Sequence, residues 1–144
     1  MTRILSVLMA GLAVVSLSAW QAAPSGDEAG VRAALQAYIQ GHATGDGAHF
    51  TRAFHPDAKL FWIGSDGQVM QRTAPDFIKG ATGKPAADEA QRRRRIAAVH
   101  VTGNAASGIV VLDYPTVKFT DYMNLVKVGD EWKIVNKTYV AERK

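Results

Sequence analysis

The stretch DYMNLVKVGDEWKIVNKTY, from Asp121 to Tyr139, decides the fold, because it reads as two strands joined by a tight turn. Gly129 and Asp130 supply the turn, since these residue types favour the backbone conformations of short hairpin loops. Apolar and polar residues alternate on both sides of the turn, as they do in strands with one buried face. The stretch therefore predicts a long antiparallel hairpin.

A turn at this position fixes which residues of the hairpin face each other. The predicted pairs on one side of the sheet are Lys127–Trp132, Leu125–Ile134, Met123–Asn136 and Asp121–Thr138. This side is the more apolar in its middle, so we assign it to the protein interior. The inner face then ends in Asp121, Asn136 and Thr138, whereas Lys137 lies on the outer face.

Two helices are predicted near the start of the domain. Val31, Leu35 and Tyr38 recur at helical spacing, which predicts an amphipathic helix over roughly residues 27 to 42. The segment GDG breaks this helix, and AHFTRAF then supplies a second, shorter one. A helical hairpin therefore opens the domain.

Strands dominate the remainder of the chain. From Asp57 the pattern changes to alternation in DAKLFWIG, and QVMQR follows after the turn SDG. A short helix capped by Thr73, with Pro75 in its first turn, comes next. RRRRIAAVHVTG and AASGIVVLDY then precede the hairpin. This order predicts an α+β fold in which helices cover one face of a curved antiparallel sheet.

The first residues are typical of an export signal. Arg3 precedes the apolar run ILSVLMAGLAVVSL, which small and polar residues follow. We predict a signal peptide over residues 1–19, cleaved between 18 and 23, and a periplasmic or secreted protein. The run is shorter than the roughly 20 apolar residues of a membrane span, so no permanent membrane anchor is expected.

Composition excludes several kinds of chemistry. The chain has no cysteine, so disulfides, thiol catalysis and thiolate metal sites are absent. The histidines lack the spacing of metal-binding motifs, and no Gly-rich phosphate loop is present, so neither metal nor cofactor is predicted. The net charge of +4 is mild, and no aromatic residues interleave Arg92 to Arg95, so no nucleic-acid partner is expected.

Three segments carry a resemblance to a known family. They are FHPDA at residues 54–58, the hairpin already described, and VRAALQAYIQG followed by GDG. Together they resemble the lumazine-binding family of the nuclear transport factor two-like superfamily, which includes SnoaL-like cyclases and ketosteroid isomerases. The resemblance covers residues 27–142. It implies a cone-shaped sheet wrapped around a long helix, with an internal pocket and often a homodimer formed through the outer sheet face.

Asp121 is the candidate catalytic residue of the hairpin. A carboxylate in a partly apolar cavity can have its pKa raised by desolvation, which suits a general base. The structural alternative is a hydrogen bond to Thr138 or a salt bridge to Lys118 or Lys137. The sequence leaves both readings open.

A second candidate pair lies at the entry to the first strand. His55 and Asp57 are close enough in sequence to act as an acid–base pair, because histidine titrates near neutrality. The alternative is that Asp57 caps the turn and that His55 lies on the surface.

Five residues are candidates for contact with a ligand. Tyr38 and Trp62 combine a ring that packs with a polar tip that can reach a cavity. Met123, Asn136 and Thr138 belong to the predicted inner face of the hairpin.

Three functions are compatible with these features. The first is an exported protein that binds a flat or hydrophobic small molecule, with a drug-sized pocket lined mainly by apolar and aromatic groups. The second is a SnoaL-like isomerase, cyclase or dehydratase, which would also need a carboxylate or imidazole with a shifted pKa in the pocket. The third is a non-catalytic interaction module that dimerises through its outer sheet face.

Overall fold

The computed structural model describes residues 25–144, so the predicted signal peptide lies outside the described residues. Three helices pack against one six-stranded sheet, which confirms the predicted fold class. The elements are α1 Gly26–Thr44, α2 Gly47–Ala53, β1 Phe54–Ile63, β2 Val69–Thr73, α3 Ala74–Ile78, β3 Arg93–Thr102, β4 Ala105–Asp113, β5 Val117–Val128 and β6 Glu131–Arg143, with a short 3-10 turn at Glu89–Gln91.

Helix α1 forms where its periodicity predicts it. The Ser25 side chain caps it by accepting a hydrogen bond from the Glu28 backbone N–H at 3.2 Å. It ends at Gly45, whose φ of 72° is in the left-handed region that favours glycine. Val31, Leu35 and Tyr38 are fully buried, so the apolar stripe of the helix faces the sheet.

The sheet has the strand order β2-β1-β6-β5-β4-β3. Every neighbouring pair except one is antiparallel; β1 lies parallel to β6, with Leu60 beside Lys137. Only antiparallel pairs were expected from the sequence, and the parallel pair of β1 and β6 corrects this expectation. Strands β1 and β6 are far apart in the chain, so no turn between them indicates their relative direction.

The hairpin β5–β6 contains a β-bulge that the sequence analysis did not predict. Near the turn the pairs Lys127–Trp132 and Leu125–Ile134 form as predicted. The register then shifts, because Val135 is an extra residue in β6.

The observed pairs beyond the bulge differ from the predicted ones: Asn124–Asn136, Met123–Lys137, Tyr122–Thr138 and Asp121–Tyr139. The predicted pairs Met123–Asn136 and Asp121–Thr138 are therefore wrong. A shift by one residue moves each side chain to the opposite face of a strand. Lys137 is consequently buried, with 4% of its surface exposed, whereas Thr138 is exposed.

Close contact between α1 and the sheet depends on Gly108 of β4. A Cβ atom at this position would lie 2.5 Å from Cδ1 of Leu35, which is fully buried. Glycine therefore lets the helix approach the middle of the sheet closely.

Candidate functional site

An internal cavity of about 180 Å³ lies between the concave face of the sheet, the C-terminal half of α1, and α3. Its lining is mainly aromatic and aliphatic, with a few charged groups: Tyr38, His42, Leu60, Trp62, Arg72, Phe77, Leu112, Tyr114, Phe119, Asp121, Lys137 and Tyr139. This composition matches the pocket that the sequence analysis expected of a small-molecule binder. The volume is smaller than the roughly 300–1,000 Å³ of drug-sized sites.

Strand register explains why these residues converge. Arg72 of β2 lies opposite Leu60 of β1, and Leu60 lies beside Lys137 of β6. One step further along the same face, Tyr139 lies opposite Asp121. Because side chains of a strand alternate between faces, residues at these positions project to the same side of the sheet.

Three polar side chains form a buried network at the inner end of the cavity. Tyr38 donates its hydroxyl proton to Asp121 Oδ2 over 2.6 Å. The Lys137 ammonium donates to Tyr38 Oη at 2.9 Å and to Asp121 Oδ1 at 3.2 Å. Asp121 and Tyr38 are fully buried. Each charge is thus compensated by an opposite charge and a hydrogen bond, as burial requires.

Burial governs the titration of this network. Desolvation lowers the pKa of Lys137, and the charge and hydrogen bond of Asp121 oppose that effect. Desolvation, together with the neighbouring Asp121 carboxylate, raises the pKa of Tyr38 well above its usual value. Tyr38 is therefore a neutral hydrogen-bond donor over the physiological pH range.

His42 contributes a neutral imidazole to the same cavity. Desolvation lowers its pKa to about 3, and the cations Lys137, Arg94 and Arg92 lower it further. Its Nε2 is buried and has no hydrogen-bond partner among the described residues. The ring packs edge-on against Tyr38, with ring centroids 4.7 Å apart. His42 therefore places a free polar atom beside the network.

Tyr114, which follows β4 and lines the cavity, contacts the cations Arg92 and Arg94. The Arg94 guanidinium hydrogen-bonds to Glu89 Oε2 at 2.8 Å and to the backbone oxygen of His42 at 3.2 Å. It also donates to Tyr114 Oη at 3.2 Å, and Arg92 stacks on the Tyr114 ring at 4.1 Å. Arg92 and Arg94 are therefore already bound to groups of the protein.

The structure divides the predicted site residues into three groups. Asp121, Tyr38 and Trp62 line the cavity together. Met123 is buried on the same face of β5 but does not contribute to the lining. Asn136 and Thr138 were predicted to face the interior, and this prediction is wrong because the bulge turns them to the other face.

His55 and Asp57 contact each other but lie apart from the cavity. His55 Nδ1 lies 3.8 Å from Asp57 Oδ2 and accepts a hydrogen bond from the Asp57 backbone N–H at 3.2 Å. His55 borders a separate surface groove beside α3, and the Asp57 side chain is almost fully exposed. The structure does not bring this pair to Asp121.

Sequence reasoning missed the cavity residues Lys137, His42, Arg72 and Tyr139. Lys137 was placed outside because the residues around Val135 carry no recognisable signal of the bulge. His42 lies four residues after Tyr38, on the same face of α1, and this spacing was the available indication that the two side chains would meet.

Within residues 25–144, no group of three histidine, aspartate or glutamate side chains is placed to hold a metal ion. Among the helices of this part of the chain, none is long and apolar enough to cross a membrane.

A curved sheet that wraps around a long helix and encloses a pocket defines the nuclear transport factor two-like class of α+β proteins. The chain belongs to the family described as "Putative lumazine-binding", whose model matches residues 26–140. This confirms the resemblance stated above. A search of curated proteins finds no match to the chain.

Several solved structures share the fold. An NTF2-like protein of unknown function from Shewanella baltica OS155 superposes with a TM-score of 0.73 at 23% identity, over 82% of this chain and 95% of that one. A similar protein from Methylobacillus flagellatus KT gives 0.70 at 25% identity, over 83% and 95%. The CaMKII hub of S. rosetta gives 0.63 at 16% identity, over 83% and 100%.

Proposed function

We propose that this protein binds a small planar molecule in the internal cavity, as the family description suggests. One observation carries the proposal: a concave, mostly aromatic cavity ends in the hydrogen-bonded network of Tyr38, Asp121 and Lys137. Ligand sites combine apolar walls with a few fixed polar anchors, and this cavity has both.

The size of the cavity limits the ligand to one or two rings. Its volume of about 180 Å³ is close to that of an apolar protein cavity of roughly 150 Å³ that accommodates benzene. Trp62 and Tyr139, with ring centroids 5.7 Å apart and planes inclined by 31°, form one wall. Such a wall favours a flat, unsaturated ligand.

Lys137 supplies the polar anchor. An ammonium group has three N–H donors, and Tyr38 and Asp121 receive two of them. The third is available to an acceptor such as a ring carbonyl. Lumazine, the molecule in the family description, is a planar bicyclic dione and meets these requirements of size and hydrogen bonding.

Binding without chemistry fits the network better than general-base catalysis. Both oxygens of Asp121 accept hydrogen bonds within the protein, one of them from a cation. To take up a proton from a ligand, Asp121 would have to give up the charge that stabilises Lys137 in the interior. Catalysis by an isomerase-like route stays a prediction, as do the roles of His55 and Asp57.

Titration with lumazine tests the proposal. Isothermal calorimetry and tryptophan fluorescence should both detect saturable binding, since Trp62 lines the cavity. Leu112→Phe and Phe119→Trp both add volume at the cavity wall and should each weaken binding about tenfold or more, because a blocked cavity excludes the ligand. Val128→Phe, which also adds volume but at an exposed position outside the cavity, is the control. Binding that is unaffected by both cavity variants would refute the assignment of the site.

We also propose that the protein is exported and that residues 1–19 are its signal peptide. The supporting observation is the apolar run that follows Arg3. Fractionation of the native host with an antibody, followed by mass spectrometry of the mature N-terminus, tests it. A cytoplasmic protein that retains Met1 would overturn the proposal.

A homodimer formed through the outer sheet face is proposed as the assembly state. Tyr122 and Val140 on this face are each 51% exposed, and Ile109 lies beside Tyr122. Exposed apolar side chains that adjoin one another favour a protein contact. Light scattering coupled to size exclusion should give the mass of two chains, and Tyr122→Glu should give one. A monomeric wild-type protein would exclude the dimer.

A further inference from the structure

The charges that line the cavity do not cancel. Lys137 and Asp121 form an ion pair at 3.2 Å, and His42 is neutral because its pKa is about 3. The tyrosines are neutral as well. Arg72 thus remains as the one uncompensated charge among the described residues of the lining.

Arg72 lies at the mouth of the cavity and has no acidic partner within the structure of residues 25–144. Its guanidinium carbon is 5.8 Å from the centre of the Trp62 ring. Asp76, the acid whose pKa Arg72 helps to lower, is already bound to Lys79 at 2.9 Å and to the Thr73 hydroxyl at 2.7 Å. The Arg72 N–H groups are therefore free to bind a ligand.

An arginine in this position suits a carboxylate. The planar guanidinium can donate two parallel hydrogen bonds to the two oxygens of a carboxylate, and charge-assisted bonds of this kind are stronger than neutral ones. The ring of such a ligand would extend from Arg72 along Trp62 and Tyr139 toward Lys137, all of which line the same cavity. The charge of a monoanion would balance the net positive charge of the lining.

We propose that the site prefers a one- or two-ring aromatic monocarboxylate over an uncharged ring compound such as lumazine, with the carboxylate held at Arg72 and the ring in the cavity. This inference rests on the proposed function, because it specifies the ligand of the same site. It adds a charge preference, which neither the family description nor the fold provides.

A matched pair of ligands tests the charge preference. 2-Naphthoate and 2-naphthamide share a planar bicyclic ring and differ in charge. Calorimetry on the full mature protein should give a dissociation constant about tenfold lower for the acid than for the amide. Raising the salt concentration should reduce this advantage, because the guanidinium is at the surface and is screened.

Two variants locate the origin of the preference. Arg72→Gln should remove the advantage of the acid and leave the affinity for the amide nearly unchanged. Arg72 is exposed, so this variant should fold, which circular dichroism can verify. Arg95→Gln removes the same charge from an exposed position on β3 outside the cavity and should keep the wild-type preference.

The possible failures are distinguishable. Equal affinity for the acid and the amide in the wild-type protein would overturn the carboxylate inference and leave ligand binding intact. A preference for the acid that persists in Arg72→Gln would overturn the role of Arg72. If neither naphthalene compound nor lumazine binds, the proposed function fails along with the inference.

Discussion

Tyr38 and Asp121 are separated by 83 residues in the chain and joined by a buried hydrogen bond of 2.6 Å. The bond links the central helix to the fifth strand at the inner end of the cavity, and Lys137 of the sixth strand contacts both residues. The network of Tyr38, Asp121 and Lys137 therefore joins three elements inside an apolar core. Its contribution to the free energy of unfolding can be measured separately from ligand binding.

Removing the Tyr38 hydroxyl should destabilise the fold. In Tyr38→Phe, Asp121 and Lys137 each lose one hydrogen-bond partner while buried, which costs about 1–3 kcal/mol of unfolding free energy. Urea denaturation followed by circular dichroism measures the change. Thr102→Val, which removes a hydroxyl from an exposed side chain at the end of β3, should cost far less. Equal losses in the two variants would contradict the importance of the network.

Breaking the buried ion pair should cost more than breaking an exposed one. Lys137→Met leaves the Asp121 carboxylate without its cation, and losses of this kind are about 3–5 kcal/mol. The Lys118–Glu142 pair, at 2.8 Å, is largely exposed, so Lys118→Met should cost less than about 1 kcal/mol.

A double-mutant cycle isolates the coupling between the two charges. We expect Asp121→Asn combined with Lys137→Met to be more stable than the sum of the single losses predicts, because neither charge is then left unpaired. Denaturant unfolding of the four proteins supplies the comparison. Strict additivity would mean that the two side chains do not stabilise each other.

Acid should destabilise the protein through His42. The pKa of this imidazole is about 3 in the folded protein and 6.5 as the reference value. Between these values the unfolded chain takes up a proton that the folded protein does not, so stability falls as the pH falls. From pH 7.5 to pH 5 the loss is about 2 kcal/mol. The charged groups that act on His42 are Lys137 of β6, Arg94 of β3 and Arg92 just before β3; all are cationic and reinforce this direction.

Replacing His42 with phenylalanine should reduce the dependence of stability on pH between pH 7.5 and pH 5. The aromatic packing with Tyr38 and Phe50 would be retained, and the unpartnered Nε2 would be removed. Thermal unfolding at several pH values measures the slope. His100→Gln changes an exposed histidine and should keep the wild-type slope. An unaltered slope in His42→Phe would show that another group is responsible.

Adding a methyl group at Gly108 should disturb the contact between helix and sheet. The new Cβ would overlap Leu35 Cδ1 at 2.5 Å, and overpacking of this kind costs about 1–3 kcal/mol. Gly26→Ala, at a helix position with no atom within 4 Å, should lose no stability. The two variants can be compared by thermal denaturation, and equal behaviour would contradict tight packing at Gly108.

Local patterns predicted the helices, the strands and the first pairs of the hairpin, because each depends on residues close in sequence. The helical spacing around Tyr38 and the alternation after Asp57 are signals of this kind. The parallel pairing of β1 with β6 is a long-range contact with no local signal. The position of Lys137 depends on a bulge, which an alternating pattern does not reveal.

The candidate site was predicted in part for the same reason. Asp121 and Tyr38 were identified, because the alternation of β5 is uninterrupted from Leu125 to Asp121 and because Tyr38 faces inward on a regular helix. Asn136 and Thr138 were predicted on the wrong face because the bulge was not foreseen. For the same reason Lys137 was not recognised as a residue of the cavity. A salt bridge between Asp121 and Lys137 was one of the structural alternatives for Asp121, but it was not predicted to lie in the protein interior.

The bulge at Val135 makes the chemistry of the cavity depend on how one strand segment is hydrogen-bonded. If the same sequence paired without the bulge, Thr138 would lie opposite Asp121 and Lys137 would face outward, so a hydroxyl would replace the ammonium group although no residue had changed. Relatives that align with this hairpin without a gap can therefore still differ in which side chains face the cavity. A comparison of cavities across the family therefore needs the strand register of β6 as well as its amino-acid sequence.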